Sequence, residues 1–261
     1  MLNVFKTVLA LSWIAFCSFT FKSDAEGGIR VVVIDAGHGG KDPGARGKIS
    51  REKDIVLDLT IKLARKIKTE MPDVKVILTR ASDKFVELSE RSNIANRRKA
   101  DLFISIHCNS IPKNKVSPAG TETFVMGLHK TDENLEVAKR ENAVILLEKD
   151  YQEKYNGFNP NSPLAYIMLA NRQNAYIASS LSFAGKIERQ FKQHADRSSR
   201  GVKQAGFMVL WQTAMPSVLV EAGFLSHAQE EKYLNSSEGQ DQIAESIFRA
   251  FKQYKEEVEE K

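Results

Sequence analysis

Short apolar runs rich in β-branched residues punctuate the chain at Arg30 to Asp35, Val74 to Thr79, Asp101 to His107, Thr121 to Met126, Phe207 to Trp211 and Ser217 to Glu221. Each has the length of a strand and the segments between them repeat at helical spacing, so the pattern predicts an α/β chain. In DLFISIHC the period of two sends Leu102, Ile104, Ile106 and Cys108 to one face and Phe103, Ser105, His107 and Asn109 to the other. Between the first two strands Ile55, Val56, Leu59, Leu63, Ala64 and Ile67 form one helical stripe, with Ser50 as its expected cap, Glu52 in its first turn and Pro72 past its end. A second stripe, Ile243, Ala244, Ile247, Phe248 and Phe251, closes the sequence, and the KEEVEEK that follows, charged all round, is expected to fray.

One stretch breaks this rhythm. From Thr131 to Asn174 the helical pattern NLEVAKRENAVILLEKD gives way to YNGFNPNSPLAY, rich in proline and asparagine, and reads as an inserted arm. There is no internal repeat and no second motif-bearing segment. Residues 29–255 therefore read as one domain, 131–174 as its insertion and 256–261 as a charged tail.

Composition changes this picture little. Hydrophobic residues make up 42% and charged residues 27%, ordinary values for a soluble globular protein. The net charge of +5 is mild, and the basic residues are scattered rather than interleaved with aromatics, which argues against nucleic acid as a partner. The N-terminus says more. Lys6 precedes the apolar TVLALSWIAFCSFTF, and a polar segment then follows from Ser23 to Gly28, the layout of a signal peptide over residues 1–25 and hence of export to the periplasm or cell wall. Phe16 before Cys17 is too bulky for a lipoprotein signal. Loss of that segment leaves Cys108 alone, a small buried hydrophobe with no disulfide partner.

The chemistry lies in four phrases: His38 in VVVIDAGHGGKDPGARG, Glu52 in SREKDI, His107 in DLFISIHCNS and Glu221 in MPSVLVEAGFLSH. Two neutral imidazoles and one carboxylate leave a fourth position on a tetrahedral zinc ion for water, and a second carboxylate can move protons. DAGHGGKDPGA lacks the spacing of either common phosphate loop, so a nucleotide site would not account for its histidine. His38 and His107 both stand where strands end, the place where open α/β sheets gather their sites. A first-turn glutamate such as Glu52 usually just complements the helix dipole. Glu221 ends an otherwise apolar strand, where a charge needs a reason.

Taken in order, IDAGHGGKDPGA, Glu52, SIHCNS, GTETFV, SRGVKQAGFMVL and MPSVLVEAGFLSH resemble the zinc-dependent N-acetylmuramoyl-L-alanine amidases, the Amidase_3 group of cell-wall hydrolases. The likeness runs from about Ile29 to Tyr254. It implies a mixed, roughly six-stranded sheet flanked by helices, one zinc ion held by His38, Glu52 and His107, and Glu221 as the catalytic carboxylate. It also implies a peptidoglycan substrate cut between the lactyl group of N-acetylmuramic acid and L-alanine, in wall remodelling and daughter-cell separation. In division-associated members a helical insertion covers the cleft and donates a carboxylate to the zinc until a protein activator displaces it. The arm resembles that insertion, with Glu133, Glu136 and Glu141 as the candidate blocking ligands. Asn109 is a candidate support for the site and Arg200 for a substrate carboxylate, while His129, His194 and His227 read as surface residues. Two alternatives stay open: a zinc peptidase acting within the stem peptide, and an inactive module binding the wall or a partner.

Overall fold

The computed structural model describes residues 28–112, 118–170 and 175–260; the expected signal peptide lies outside them. Six strands form one mixed sheet: β1 (Val31–Ala36), β2 (Lys75–Leu78), β3 (Leu102–Asn109), β4 (Thr121–Met126), β5 (Ser199–Ala205) and β6 (Ser217–Phe224), in the order β2-β1-β3-β6-β4-β5. The first three and β6 run parallel, and β4 pairs antiparallel with β6 and parallel with β5. After β1 the chain moves to one side for β2 and to the other for β3. The carboxyl ends of β1 and β3 thus flank a topological switch point, the crevice where such sheets bind ligands.

Helices cover both faces. On one side α1 (Glu52–Glu70) is joined by three later helices, α6 (Ile177–His194), α8 (Ala228–Asn235) and α9 (Ser237–Glu259). They bury Leu59, Phe183, Leu234 and Phe251 against Ile34, Ile104, Ile106, Cys108 and Val220. On the other side lie α2 (Leu88–Arg97), α3 (Asp132–Asn142), a 3-10 turn (Ala143–Leu147), α4 (Tyr151–Lys154), α5 (Pro163–Ala170) and α7 (Met208–Trp211). Their apolar residues pack on Val33, Phe103, Phe124 and Leu219. The alternation predicted for β3 is borne out: Cys108 lies in the first core, away from His107. In the second core Phe124 meets Phe207 edge to face at 5.1 Å. Replacing Phe124 with alanine is expected to cost about 3–5 kcal/mol by leaving a cavity there, measured by urea unfolding of the metal-free protein.

Four expectations need correction. Phe207 to Trp211 is no strand: Met208–Trp211 is the helix α7, and the fifth strand is Ser199–Ala205. As a half-exposed edge strand, β5 carries polar residues and lacks the apolar run used to find the others. Ser50 does not cap α1; the N-cap position is Arg51, without a side-chain bond, and the Ser50 hydroxyl donates to Glu231 at 2.8 Å. The tail does not fray at Lys255, because α9 continues to Glu259 with the Lys255 ammonium on Asp73 at 3.1 Å. The helical pattern in the arm is broken into α3 and the 3-10 turn, and PLAY begins α5 rather than closing a loop.

Candidate active site

β1, β3 and β6 each deliver one side chain, and Glu221 does not end its strand as expected, since β6 runs on to Phe224. His38 follows β1 on a loop whose tightness the glycines explain. A Cβ on Gly37 would stand 2.4 Å from the His107 ring, and Gly44, at φ +65, would press one within 2.6 Å of Glu52 Oε2. His107 sits near the end of β3 in register with Glu221 of β6, which in turn pairs with Glu122 of β4. Glu52, in the first turn of α1, reaches under the loop. Its Oε2 accepts the Ala45 N–H at 2.7 Å and its Oε1 accepts the Cys108 N–H at 2.9 Å.

Glu52 Oε1 lies 3.0 Å from both His38 Nε2 and His107 Nδ1. Glu141 Oε2, arriving from the end of α3, lies 3.3 Å and 3.0 Å from the same two nitrogens. These four buried groups could hold a metal ion. The spacing tests the idea, since ligands about 2.0–2.1 Å from a tetrahedral ion stand roughly 3.3–3.4 Å apart. His38 Nε2 and Glu141 Oε2 are buried and make no directed hydrogen bond, so they lie close without satisfying one another. The donor set of two imidazoles and two carboxylates suits zinc chemistry. His38 Nδ1 is 2.7 Å from Asp42 Oδ2, an outer contact that fixes the ring with Nε2 turned inward.

Charge balance agrees. Burial works against a charged His107, yet Glu141 and Glu52 beside it outweigh that and lift it to about 9. Burial likewise favours neutral Glu52, but His38 outweighs it and holds the carboxyl down to about 2. Protons on the imidazoles or a divalent cation answer the same need, to neutralise the two glutamates. Glu221 differs. Burial, reinforced by the neighbouring Glu141, pushes its carboxyl well above the ordinary range, and neither of its oxygens makes a hydrogen bond. Arg140 Nη2 stands 3.6 Å from it.

A family model for N-acetylmuramoyl-L-alanine amidases matches residues 32–253. The chain belongs to that family. It is similar to the amidase AmiC of Escherichia coli, 33% identical over 229 residues that cover 86% of this chain and 52% of AmiC, so it spans about half the length of that relative. Among solved structures, an N-acetylmuramoyl-L-alanine amidase from Clostridium difficile superposes with a TM-score of 0.65 at 27% identity, covering 87% of this chain and 97% of that one. The CwlD amidase of Clostridioides difficile, solved in complex with the GerS lipoprotein, matches at TM-score 0.63 and 26% identity over 86% of this chain and 98% of its own.

In this member of the family the sequence-predicted residues divide clearly. His38, Glu52 and His107 converge, with Glu221 beside them in the sheet. Of the three candidate glutamates in the arm, Glu141 reaches the centre, whereas Glu133 and Glu136 are exposed and Glu136 pairs with Lys139 at 2.7 Å. Asn109 is buried and links Arg140 to Glu122, accepting from Nη2 at 3.0 Å and donating to Oε2 at 3.1 Å. Arg200 spends its guanidinium on Glu122 at 2.5 Å, beside a cavity of about 840 Å³ that Arg140 and Lys203 also line. Exposed His194 fits its surface reading, while half-buried His227 accepts the Glu230 N–H at the start of α8. Sequence reasoning missed Asp42, Glu122 and Arg140. The first stood four residues after His38, a spacing that could have signalled it.

The arm seals the centre. Arg140 also donates to Ser110 O at 2.7 Å, and the space left at His38, His107 and Glu141 is about 10 Å³, at the lower limit for one water. Beyond the 3-10 turn, Glu148 accepts the Leu88 N–H at 2.8 Å and the Tyr155 hydroxyl accepts the Ser89 N–H at 3.0 Å, so the arm also caps α2, whose N-cap residue Glu87 supplies no cap of its own.

Proposed function

We propose that the chain hydrolyses the amide between the lactyl group of N-acetylmuramic acid and L-alanine in peptidoglycan, with zinc held by His38, Glu52 and His107. The observation that carries this reading is the convergence of those three donors from separate elements beside the carboxylate of Glu221, whose oxygens make no hydrogen bond. A zinc ion there would polarise water and the amide carbonyl. Glu221 takes the proton of the attacking water and returns it to the departing alanine nitrogen; burial raises its affinity for that proton, and a neighbouring divalent cation would lower it enough for the carboxyl to start ionised. Asp42 keeps His38 oriented, and the backbone N–H groups of Ala45 and Cys108 fix Glu52. No covalent bond to the enzyme is needed.

Glu141 would take the fourth ligand position of such an ion, which would make the described conformation a resting state, closed like a structural zinc site rather than open like a catalytic one. An activator that grips the arm would free the position. Exposed Leu164, Ile167 and Met168 on α5 offer such a partner an apolar surface. Export to the wall and a part in daughter-cell separation complete the proposal.

Mass spectrometry of fragments from purified peptidoglycan tests it. Zinc-loaded protein is expected to free stem peptides bearing L-alanine at their new N-terminus, and chelator-stripped protein to free none until zinc is restored. Fragments that keep the first alanine on the sugar would instead identify a peptidase.

A further inference from the structure

Two arginines take no part in the chemistry above, yet each is only 1% exposed. Guanidinium groups are almost never fully buried unless their donors are met. From α2, Arg91 Nη1 donates to Asp35 Oδ1 at 2.7 Å and to Ala36 O at 2.6 Å, Nη2 to His38 O at 2.7 Å, and Nε to Val86 O at 3.1 Å. From just beyond β2, Arg80 Nε donates to Ala36 O at 2.9 Å, and its Nη2 to Gly37 O at 2.7 Å and Lys53 O at 2.8 Å. The carbonyls of Ala36, Gly37 and His38 are therefore all held by two forks.

That segment needs holding. His38 has φ 59, a left-handed conformation that is strained for a residue with a Cβ and persists only where its surroundings enforce it. Asp35 anchors the clamp, its oxygens accepting the hydroxyls of Thr79 at 2.6 Å and Ser105 at 2.7 Å as well as Arg91. We infer that Arg91, braced by Asp35, is a positioning residue that holds His38 in the one backbone conformation from which Nε2 faces the metal centre. The inference rests on His38 being a ligand.

The test is Arg91→Lys in the full chain. Lysine keeps a charge for Asp35, but an ammonium on a flexible stem cannot bridge Asp35 and two carbonyls as the planar fork does. Zinc affinity, read by competition with a chromophoric chelator, is expected to fall about 10- to 100-fold, and the visible spectrum of the cobalt-loaded protein to change with the altered ligand geometry. Arg197→Lys is the comparison: it disturbs a buried pair with Glu230, two contacts of 2.6 Å, that touches none of the three carbonyls. It is expected to lower the unfolding midpoint while zinc affinity and cobalt spectrum stay those of the parent. Should Arg91→Lys not fold, the neutral pair Asp35→Asn with Arg91→Gln takes its place with the same expected loss. Parental zinc affinity and cobalt spectrum in a folded Arg91 variant, or equal losses in the Arg197 variant, would overturn the inference. A parent protein that binds no zinc, or a His38→Ala variant that keeps it, would instead sink the functional reading beneath it.

Discussion

Glu221→Gln will slow hydrolysis of purified peptidoglycan about 100- to 10,000-fold, the range over which a positioned acid–base group acts, while metal content stays at the parent level. Glutamine keeps the volume and planar shape of the side chain, so the register of β6 against β3, in which Glu221 stands beside His107, is undisturbed. What it cannot do is accept a proton from water and pass it on. The carboxylate is fully buried and neither oxygen makes a hydrogen bond, its ion-pair partner being Arg140 Nη2 at 3.6 Å. Metal analysis and a turbidity assay on the same preparation separate the roles. Loss of zinc would make Glu221 a ligand, and parental turnover would remove it from the reaction.

Cutting away the Glu141 carboxylate acts in the opposite direction. Glu141→Ala is expected to raise basal hydrolysis about tenfold, the effect of removing roughly 1.4 kcal/mol of bias toward the closed state. Adding Arg140→Ala should raise it further, because Arg140 still ties the arm across the cleft through Ser110 O at 2.7 Å and Asn109 Oδ1 at 3.0 Å. Point substitutions are preferable to deleting the arm. Val144, Ile145, Tyr155, Tyr166 and Leu169 belong to the second core, and their loss would expose Phe124 and Phe207. Basal rates equal to the parent in both variants would show that the arm does not block the centre.

What the sequence could tell was set by periodicity. β3 and β6 are buried along their whole length, so both strands and the histidine and glutamate they carry were legible, although their ends were not: β3 runs on to Asn109 and β6 to Phe224, past the His107 and Glu221 expected to close them. β5 was not, because an edge strand half open to solvent carries arginine and lysine where a central one carries valine. α7 was mistaken for a strand since four apolar residues in a row fit either state, and length alone could not decide. Three glutamates in the arm looked alike because spacing along α3 does not say which turn meets the sheet. Arg91 carries no signal in the sequence that it is buried; only the carbonyls of a distant loop and Asp35 explain why it is.

The cap that the arm places on α2 has a consequence for control. Leu88 and Ser89 give their amides to Glu148 and Tyr155, one turn before Arg91, so the lever that shuts the cleft also finishes the helix that steadies His38. Two such bonds, at about 0.5–1.5 kcal/mol each, make spontaneous lifting roughly 5- to 150-fold rarer. If the arm blocks the centre as proposed, background hydrolysis would be throttled by a tether far from the metal position, and whatever pries the arm loose would have to supply that work at the moment of opening.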